Sequence, residues 1–381
     1  MKVCHLTSVH PPEDIRIFVK ECVSLYKGGH DVSLIVRNSE TYEKDGVKII
    51  GVTANASNRF IRMVKGPMAV YKKALEVDAD VYHFHDPELI PVGLLLKRKG
   101  KKVVYDVHED VPEQVLSKQW IPGPLRKFVS NVVKQVERFA SKRYDAVVTA
   151  TPTINDRFKT YTPNSVIVHN FPIMSELMGN TENELNASLE NDQNSKEPYV
   201  IYVGGLTKIR GVLEMVDAIS ELNAVHNPRT KLYLAGAFAP AELQREVEKK
   251  QGWNDTEYLG FLNRSQVKEY LSQAKLGLVL LHPEPRYMVS YPIKMFEYMA
   301  AGIPVVAANF PLWKSIVEGA QCGLTADPMN PKEIAEAMKW ILTHPEEAIE
   351  MGKNGQKAIA EKYNWEKESE TLLQLYDRLA N

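Results

Sequence analysis

The chain of 381 residues predicts an α/β fold of two doubly wound, parallel-sheet domains, and three observations carry that expectation. Short apolar runs alternate with helical periodicity from end to end, the pattern of strand–helix–strand units rather than of bundles or sandwiches. A stretch rich in Asn, Glu and Ser interrupts the alternation near the middle. The length suffices for two cores of ordinary size.

In the first half Lys2–Leu6, Asp31–Val36, Val47–Val52, Asp80–Phe84, Lys102–Asp106, Asp145–Ala150 and Ser165–Val168 read as strands, each a short apolar or β-branched run. Helical stripes lie between several of them, as in Ile17–Lys27 and Leu125–Ala140. Residues 1–172 are expected to form the first domain. Residues 173–198 read as a linker or disordered insertion, since Glu176–Pro198 holds six acids, one lysine and no aromatic. A second domain over 199–362 opens with the strand Tyr199–Val203. A helical stripe follows through Val212, Leu213, Val216, Ile219 and Leu222, with strands at Lys231–Ala235, Leu276–Leu281 and Pro304–Ala307. Residues 363–381 close the chain as a helix. Ligands of open α/β sheets bind at the carboxyl ends of strands, so a cleft between two such domains is the expected site.

Composition narrows the class. The chain is 44% hydrophobic and 25% charged, as ordinary soluble proteins are. Cys4, Cys22 and Cys322 are scattered, which indicates neither a disulfide framework nor a cysteine zinc site and fits a reducing, cytoplasmic compartment. The N-terminus lacks the apolar stretch of a signal peptide, and no run approaches transmembrane length. The net charge of −1 conceals an asymmetry: residues 1–170 carry 26 basic and 19 acidic groups, the remainder 21 and 29. Three basic stretches stand out, Arg59–Lys73, Lys97–Lys102 and Lys118–Arg143. The first and third interleave with Phe60, Ile61, Met63, Trp120, Ile121, Leu125 and Phe128. That mixture suits peripheral contact with an anionic membrane face or a polyprenyl-phosphate lipid, although cations snorkelling from amphipathic helices give the same pattern. Near-zero charge and few aromatics disfavour nucleic acid.

The segment Tyr287–Ala308, YMVSYPIKMFEYMAAGIPVVAA, combines a loop, a proline suited to a helix's first turn, a short helix, a glycine stop and a buried strand. Lys294 and Glu297 are three apart and share a face, with Met295, Phe296 and Met299 on the other. A cation beside the free N–H groups of a helix start can hold an anion, and a carboxylate one turn on can accept from a ribose diol. The same pair also reads as a solvated ion pair. A second turn, YVGGLTKIRG, places Gly204 and Gly205 after a strand and Arg210-Gly211 at a helix start, a geometry fit for a diphosphate.

These two motifs resemble those of the retaining glycosyltransferases of family 4 (glycosyl transferases group 1), with the GT-B fold. Gly204-Gly205-Leu206 with Arg210-Gly211 is similar to the family's G-x-L turn and basic residue before glycine. Glu297-Tyr298-Met299-Ala300-Ala301-Gly302-Ile303-Pro304-Val305-Val306 is similar to its E-[AY]-M-A-x-G-x-P-V-[VI] run. The form Ser290-x-Pro292-x-Lys294-x-x-Glu297-Tyr298 resembles a branch common in polysaccharide assembly. The resemblance implies two facing Rossmann-like domains, with the closing helix after Tyr363-Asn364-Trp365-Glu366 crossing back to the first. It implies Arg210 and Lys294 on a donor diphosphate and Glu297 on the nucleotide ribose. Gly204, Gly205, Gly236, Gly260, Ser290 and Tyr291 would line the donor. Gly205 and Val289 depart from the family, which often has arginine and glutamate there; Lys294 is expected to assume part of the lost charge.

In the front domain His108 matches the family histidine that faces the transferred sugar. His83 and His85 share a strand face and make a metal pair conceivable, but no third ligand is evident and the fold class requires none. Asp14 and Arg16 are expected as the polar reach of the first turn, and His85, Asp86 and Trp120 as further cleft or acceptor candidates. His169-Asn170-Phe171-Pro172 reads as a hinge. The function implied is sugar transfer, with retention and without metal or cofactor, from a nucleotide-diphosphate sugar to a glycan or polyprenyl-linked acceptor. UDP is the first choice of nucleotide, before GDP or ADP. A nucleotide-sugar epimerase and a non-catalytic binding homologue are the alternatives.

Overall fold

A computed structural model describes residues 1–53, 59–117, 121–174 and 198–380. The chain divides into two compact units, Met1–Asn170 with Trp365–Asn381, and Phe171–Asn364. The expected linker lies almost wholly outside the described residues, as does Trp120.

The first unit holds β1 (Lys2–Thr7), β2 (Asp31–Arg37), β3 (Tyr42–Lys44), β4 (Val47–Val52), β5 (Val81–Phe84), β6 (Lys102–Val107), β7 (Ala146–Thr149) and β8 (Ser165–Ile167). They form one sheet in the order β3-β4-β2-β1-β5-β6-β7-β8, parallel except where β3 pairs with β4. The chain builds outward from β1 on one side and resumes at β5 on the other. The topological switch therefore lies between β1 and β5, where an open α/β sheet offers a crevice. β5 and β7 are buried along their whole length, as crossover helices on both faces require.

Two local features differ from the sequence reading. Asp45-Gly46, both at positive φ, turn the chain between β3 and β4 and add a strand that the apolar pattern does not mark. The expected helix Ile17–Lys27 begins as a wide π-type segment, Ile15–Cys22, and continues as α-helix over Val23–Lys27. The Asp14 carboxylate caps it, accepting from the N–H groups of Arg16 and Ile17. A wider turn brings residues five apart onto one face, so Arg16 and Glu21 both point inward.

The closing helix Trp365–Ala380 belongs to this first core. Leu372, Leu375 and Tyr376 are buried, Trp365 Nε1 donates to Ser24 Oγ (2.9 Å), and Glu368 accepts from the His169 N–H (2.7 Å).

The second unit holds β9 (Tyr199–Val203), β10 (Lys231–Ala235), β11 (Thr256–Gly260), β12 (Leu276–Val279), β13 (Val305–Ala308) and β14 (Gly323–Ala326). All are parallel, in the order β11-β10-β9-β12-β13-β14, with the switch between β9 and β12. β11 and β14, at the two edges, are the strands that the sequence reading omits. Two apolar clusters enclose the sheet, one around Tyr298, Phe296 and Trp313 and one around Val216, Leu222 and Met338.

Candidate functional site

In the second unit the carboxyl ends of β9, β10 and β11 form a ledge of glycine backbone. Gly204 N–H donates to Ala235 O (2.9 Å) and Gly236 N–H to Gly260 O (2.7 Å). Gly204 and Gly236 have φ of 143° and 136°, and a Cβ on Gly236 would lie 1.9 Å from Gly204 O. Only glycine fits that approach.

Helix Ile293–Ala301 faces this ledge. Pro292 is its capping residue, and Gly302 ends it in the left-handed region at φ 77°. In its first turn the Met295 N–H donates to Pro292 O (3.0 Å), and the N–H groups of Ile293 and Lys294 precede the first helical bond. Met295, Phe296, Tyr298 and Met299 are buried, whereas Lys294 and Glu297 lie half-buried on the other face. Tyr298 fixes the helix to β9 by accepting from the Val203 N–H (2.9 Å), and Gly277 leaves room for its ring.

Two cations converge here. A Cβ on Gly204 would lie 3.2 Å from Lys294 Nζ, and one on Gly205 3.1 Å from Arg210 Nη1. Lys294 donates to the Tyr202 hydroxyl (3.2 Å), with its ammonium 4.6 Å from that ring, and Tyr202 donates to Gly205 O (3.1 Å). Burial, then Arg210, lowers the Lys294 pKa to about 7, while Glu297 opposes. Burial lifts Tyr202 to about 12, against the pull of Arg210. Two basic groups crowded on a glycine turn, one with its pKa lowered to about 7, form an arrangement that could receive a polyanion.

Other expected members differ in availability. Gly260 has open space beside it. Ser290 is occupied locally, since both its hydroxyl and its N–H donate to Tyr287 O. The Tyr291 ring packs against Phe171 and Phe296. Tyr202 escaped the sequence reading because it acts by contact across the turn. Arg286, a basic residue one turn before Ser290, lies on the Tyr287 ring at 4.6 Å.

In the first unit the carboxyl ends of β1, β5 and β6 gather His5, His10, His83, His85, Asp86, Asp106 and His108. His108 follows β6, with Nδ1 3.8 Å from Asp106 and its ring edge-on to His10 at 5.1 Å. His10 stands 3.4 Å from both Asp14 and Asp86, and the Asp14 hydrogen bond raises its pKa. Burial pushes Asp14 up, but His10 and the two capping N–H groups hold it down at about 2.

Three expectations require correction. Arg16, His85 and Asp86 were expected to line a cleft, yet all three are buried. Arg16 forms a bidentate pair with Asp106 (2.8 and 2.9 Å) and also donates to Val168 O, because the π-type segment turns it inward. His85 Nδ1 is 2.9 Å from Asp106, and Asp86 accepts from Thr7 Oγ1 and from the N–H of Ser8. Burial raises Asp106, yet Arg16 and its hydrogen-bonding neighbours hold it well below the usual carboxylate range. Burial and then Asp106 push Glu21 well above that range.

Known proteins share this architecture. Residues 21–171 match the family described as Glycosyltransferase Family 4, and residues 184–358 match Glycosyl transferases group 1. An uncharacterized glycosyltransferase of Methanocaldococcus jannaschii is 22% identical over 395 residues, covering 99% of this chain and 98% of its own. Among solved structures, sucrose-phosphate synthase from Thermosynechococcus elongatus superposes with a TM-score of 0.78 at 19% identity, covering 99% and 98% of the two chains. Anabaena HepE in complex with UDP gives 0.74 at 14% identity, covering 99% and 100%.

Proposed function

We propose that this chain, which belongs to the GT-B glycosyltransferases of family 4 and group 1, transfers a sugar with retention from a UDP-sugar to a hydroxyl of a glycan or polyprenyl-linked lipid. The convergence of Arg210 and Lys294 on the Gly204–Gly205 turn carries the reading. Those cations stabilise the diphosphate as the anomeric C–O bond breaks, a help that grows with the charge on the leaving oxygen. Glu297 accepts from the ribose hydroxyls, and the ledge at Gly204, Gly236 and Gly260 meets the nucleotide through its backbone. The choice of UDP leans on Anabaena HepE, solved with that nucleotide.

His108 orients the transferred sugar, as the family resemblance implies. No carboxylate is assigned as a nucleophile. The acceptor oxygen attacks on the face that the diphosphate leaves, its proton passes to the departing phosphate oxygen, and configuration is retained. With two cations on the diphosphate, the transfer needs no metal.

For the acceptor, the long helix Gly123–Ser141 supports a membrane-bound substrate. Leu125, Phe128, Val132, Val136 and Phe139 form an exposed apolar stripe at helical spacing, flanked by Arg126, Lys127, Lys134, Arg138 and Lys142. A basic amphipathic helix of this kind fits an anionic lipid surface. No helix among the described residues is long and apolar enough to cross a membrane.

Thermal shift with UDP, GDP and ADP, free and as sugars, tests the donor assignment. A nucleotide present at a hundred times its Kd stabilises by about 2.7 kcal/mol. Stabilisation by UDP species is the expected result, and no response to any nucleotide would sink the proposal. The anomeric configuration of the product, read by NMR, tests retention.

A further inference from the structure

Beneath the half-buried pair His10 and His108, the first unit buries a second constellation that sugar transfer does not use. His5 on β1, Glu21 in the π-type segment, and His83 and His85 at the end of β5 are all essentially inaccessible. One ligand atom from each lies within 4.8 Å of the others. Glu21 Oε2 is 3.9 Å from His5 Nδ1, 3.8 Å from His83 Nδ1 and 3.9 Å from His85 Nε2, while His5 Nδ1 and His85 Nε2 are 2.9 Å apart.

The Glu21 separations are too long for hydrogen bonds. They are close to those around a shared cation, since a tetrahedral zinc with bonds near 2.0–2.1 Å sets its ligand atoms roughly 3.3 Å apart. Glu21 carries the supporting signal: Oε2, the oxygen facing the three imidazoles, is buried without a hydrogen-bond partner, while Oε1 pairs with Arg16 Nε at 3.1 Å. The outer shell matches as well. His85 Nδ1 meets Asp106, itself gripped by Arg16, which is the carboxylate–histidine arrangement that orients a metal-bound imidazole. A second grouping of His85, Asp106 and His108 offers only three ligands and draws on the same Asp106.

We propose that His5, Glu21, His83 and His85 bind one zinc-class divalent ion in a closed, structural site. Three imidazoles and one carboxylate suit zinc or cobalt rather than magnesium or calcium, which prefer oxygen ligands. The ion ties β1, β5 and the π-type segment together at the switch point of the first unit. The Tyr376 hydroxyl, 3.0 Å from His83 Nδ1, yields that contact to the ion. Four protein ligands leave no open position, so the site is separate from the metal-independent transfer chemistry proposed above.

The test uses the full chain without a polyhistidine tag, incubated with zinc, desalted, and analysed by inductively coupled plasma mass spectrometry. The expected content is about one zinc per chain, falling below roughly a tenth in Glu21→Gln and in His83→Ala. Because His83→Ala also removes a fully buried side chain, wild type loaded with cobalt supplies an independent readout in the visible absorption of a tetrahedral site. Chelation of the wild type is expected to lower its Tm, with recovery on adding zinc chloride but not magnesium chloride. Sub-stoichiometric zinc in the wild type, or zinc retained equally by Glu21→Gln, would overturn the assignment.

Discussion

Lys294 stands between opposing influences: burial and Arg210 push its pKa down to about 7, and Glu297 pulls it back. A bound diphosphate adds negative charge beside the ammonium and raises that pKa, so binding above pH 7 takes up a proton. Below the free value Lys294 is already charged and adds no pH dependence of its own, leaving only the titration of the terminal phosphate of UDP. Above the free value affinity weakens by up to about tenfold per pH unit, until the pKa of the bound state is reached. Calorimetric titration of UDP between pH 6 and 9 checks this, and Lys294→Met is expected to abolish the proton uptake; a pH-independent Kd in the wild type would contradict it. At this scale the sequence was partly legible. A spacing of three put Lys294 and Glu297 on one face, as the helix bears out. Arg16 was misread because the π-type turn, which no local pattern announces, carries it inward to Asp106. The His5–Glu21 contact was illegible, since it joins a strand to a segment whose helical pitch was not foreseen.

Among the elements, the glycine ledge and the amphipathic helix make separable claims. At Gly236 a Cβ would meet Gly204 O at 1.9 Å, whereas at Gly260 it meets open space. Gly236→Ala adds that backbone clash to the cost of its positive φ and is therefore expected to lose roughly 3–4 kcal/mol in denaturant unfolding and to weaken UDP binding. Gly260→Ala carries only the left-handed backbone penalty, about 1–2 kcal/mol. Equal losses at the two sites would argue against the ledge. On helix Gly123–Ser141, Phe128→Ser removes an exposed ring, so stability should change by no more than about 0.5 kcal/mol. Sedimentation with anionic vesicles should fall, and undiminished vesicle binding would remove the helix from the lipid contact. Strands buried on both faces were readable as apolar runs. The short edge strands β11 and β14 were not, because half-exposed residues dilute the pattern. β3 was missed despite its Asp45-Gly46 turn, a hairpin signal independent of apolar content.

In the molecule as a whole, the first unit is assembled from discontinuous chain, since Trp365–Ala380 packs into the core begun by residues 1–170. Hydrophobic periodicity makes that segment a helix but does not say which core receives it; the family resemblance supplied that expectation. Truncation after residue 364 removes buried Trp365, Leu372, Leu375 and Tyr376 and exposes His83 and the wall behind it. Hydrogen exchange should then accelerate in β1, β5 and β8 while β9 to β14 stay protected; uniform loss of protection would contradict the division into units. The donor-site assignment is tested most directly by titrating UDP into the wild type, Arg210→Ala and Lys294→Ala at pH 7. One site in the wild type and at least a tenfold weaker Kd in each variant is the predicted result. Affinity unchanged by both substitutions would place the nucleotide elsewhere and contradict the account.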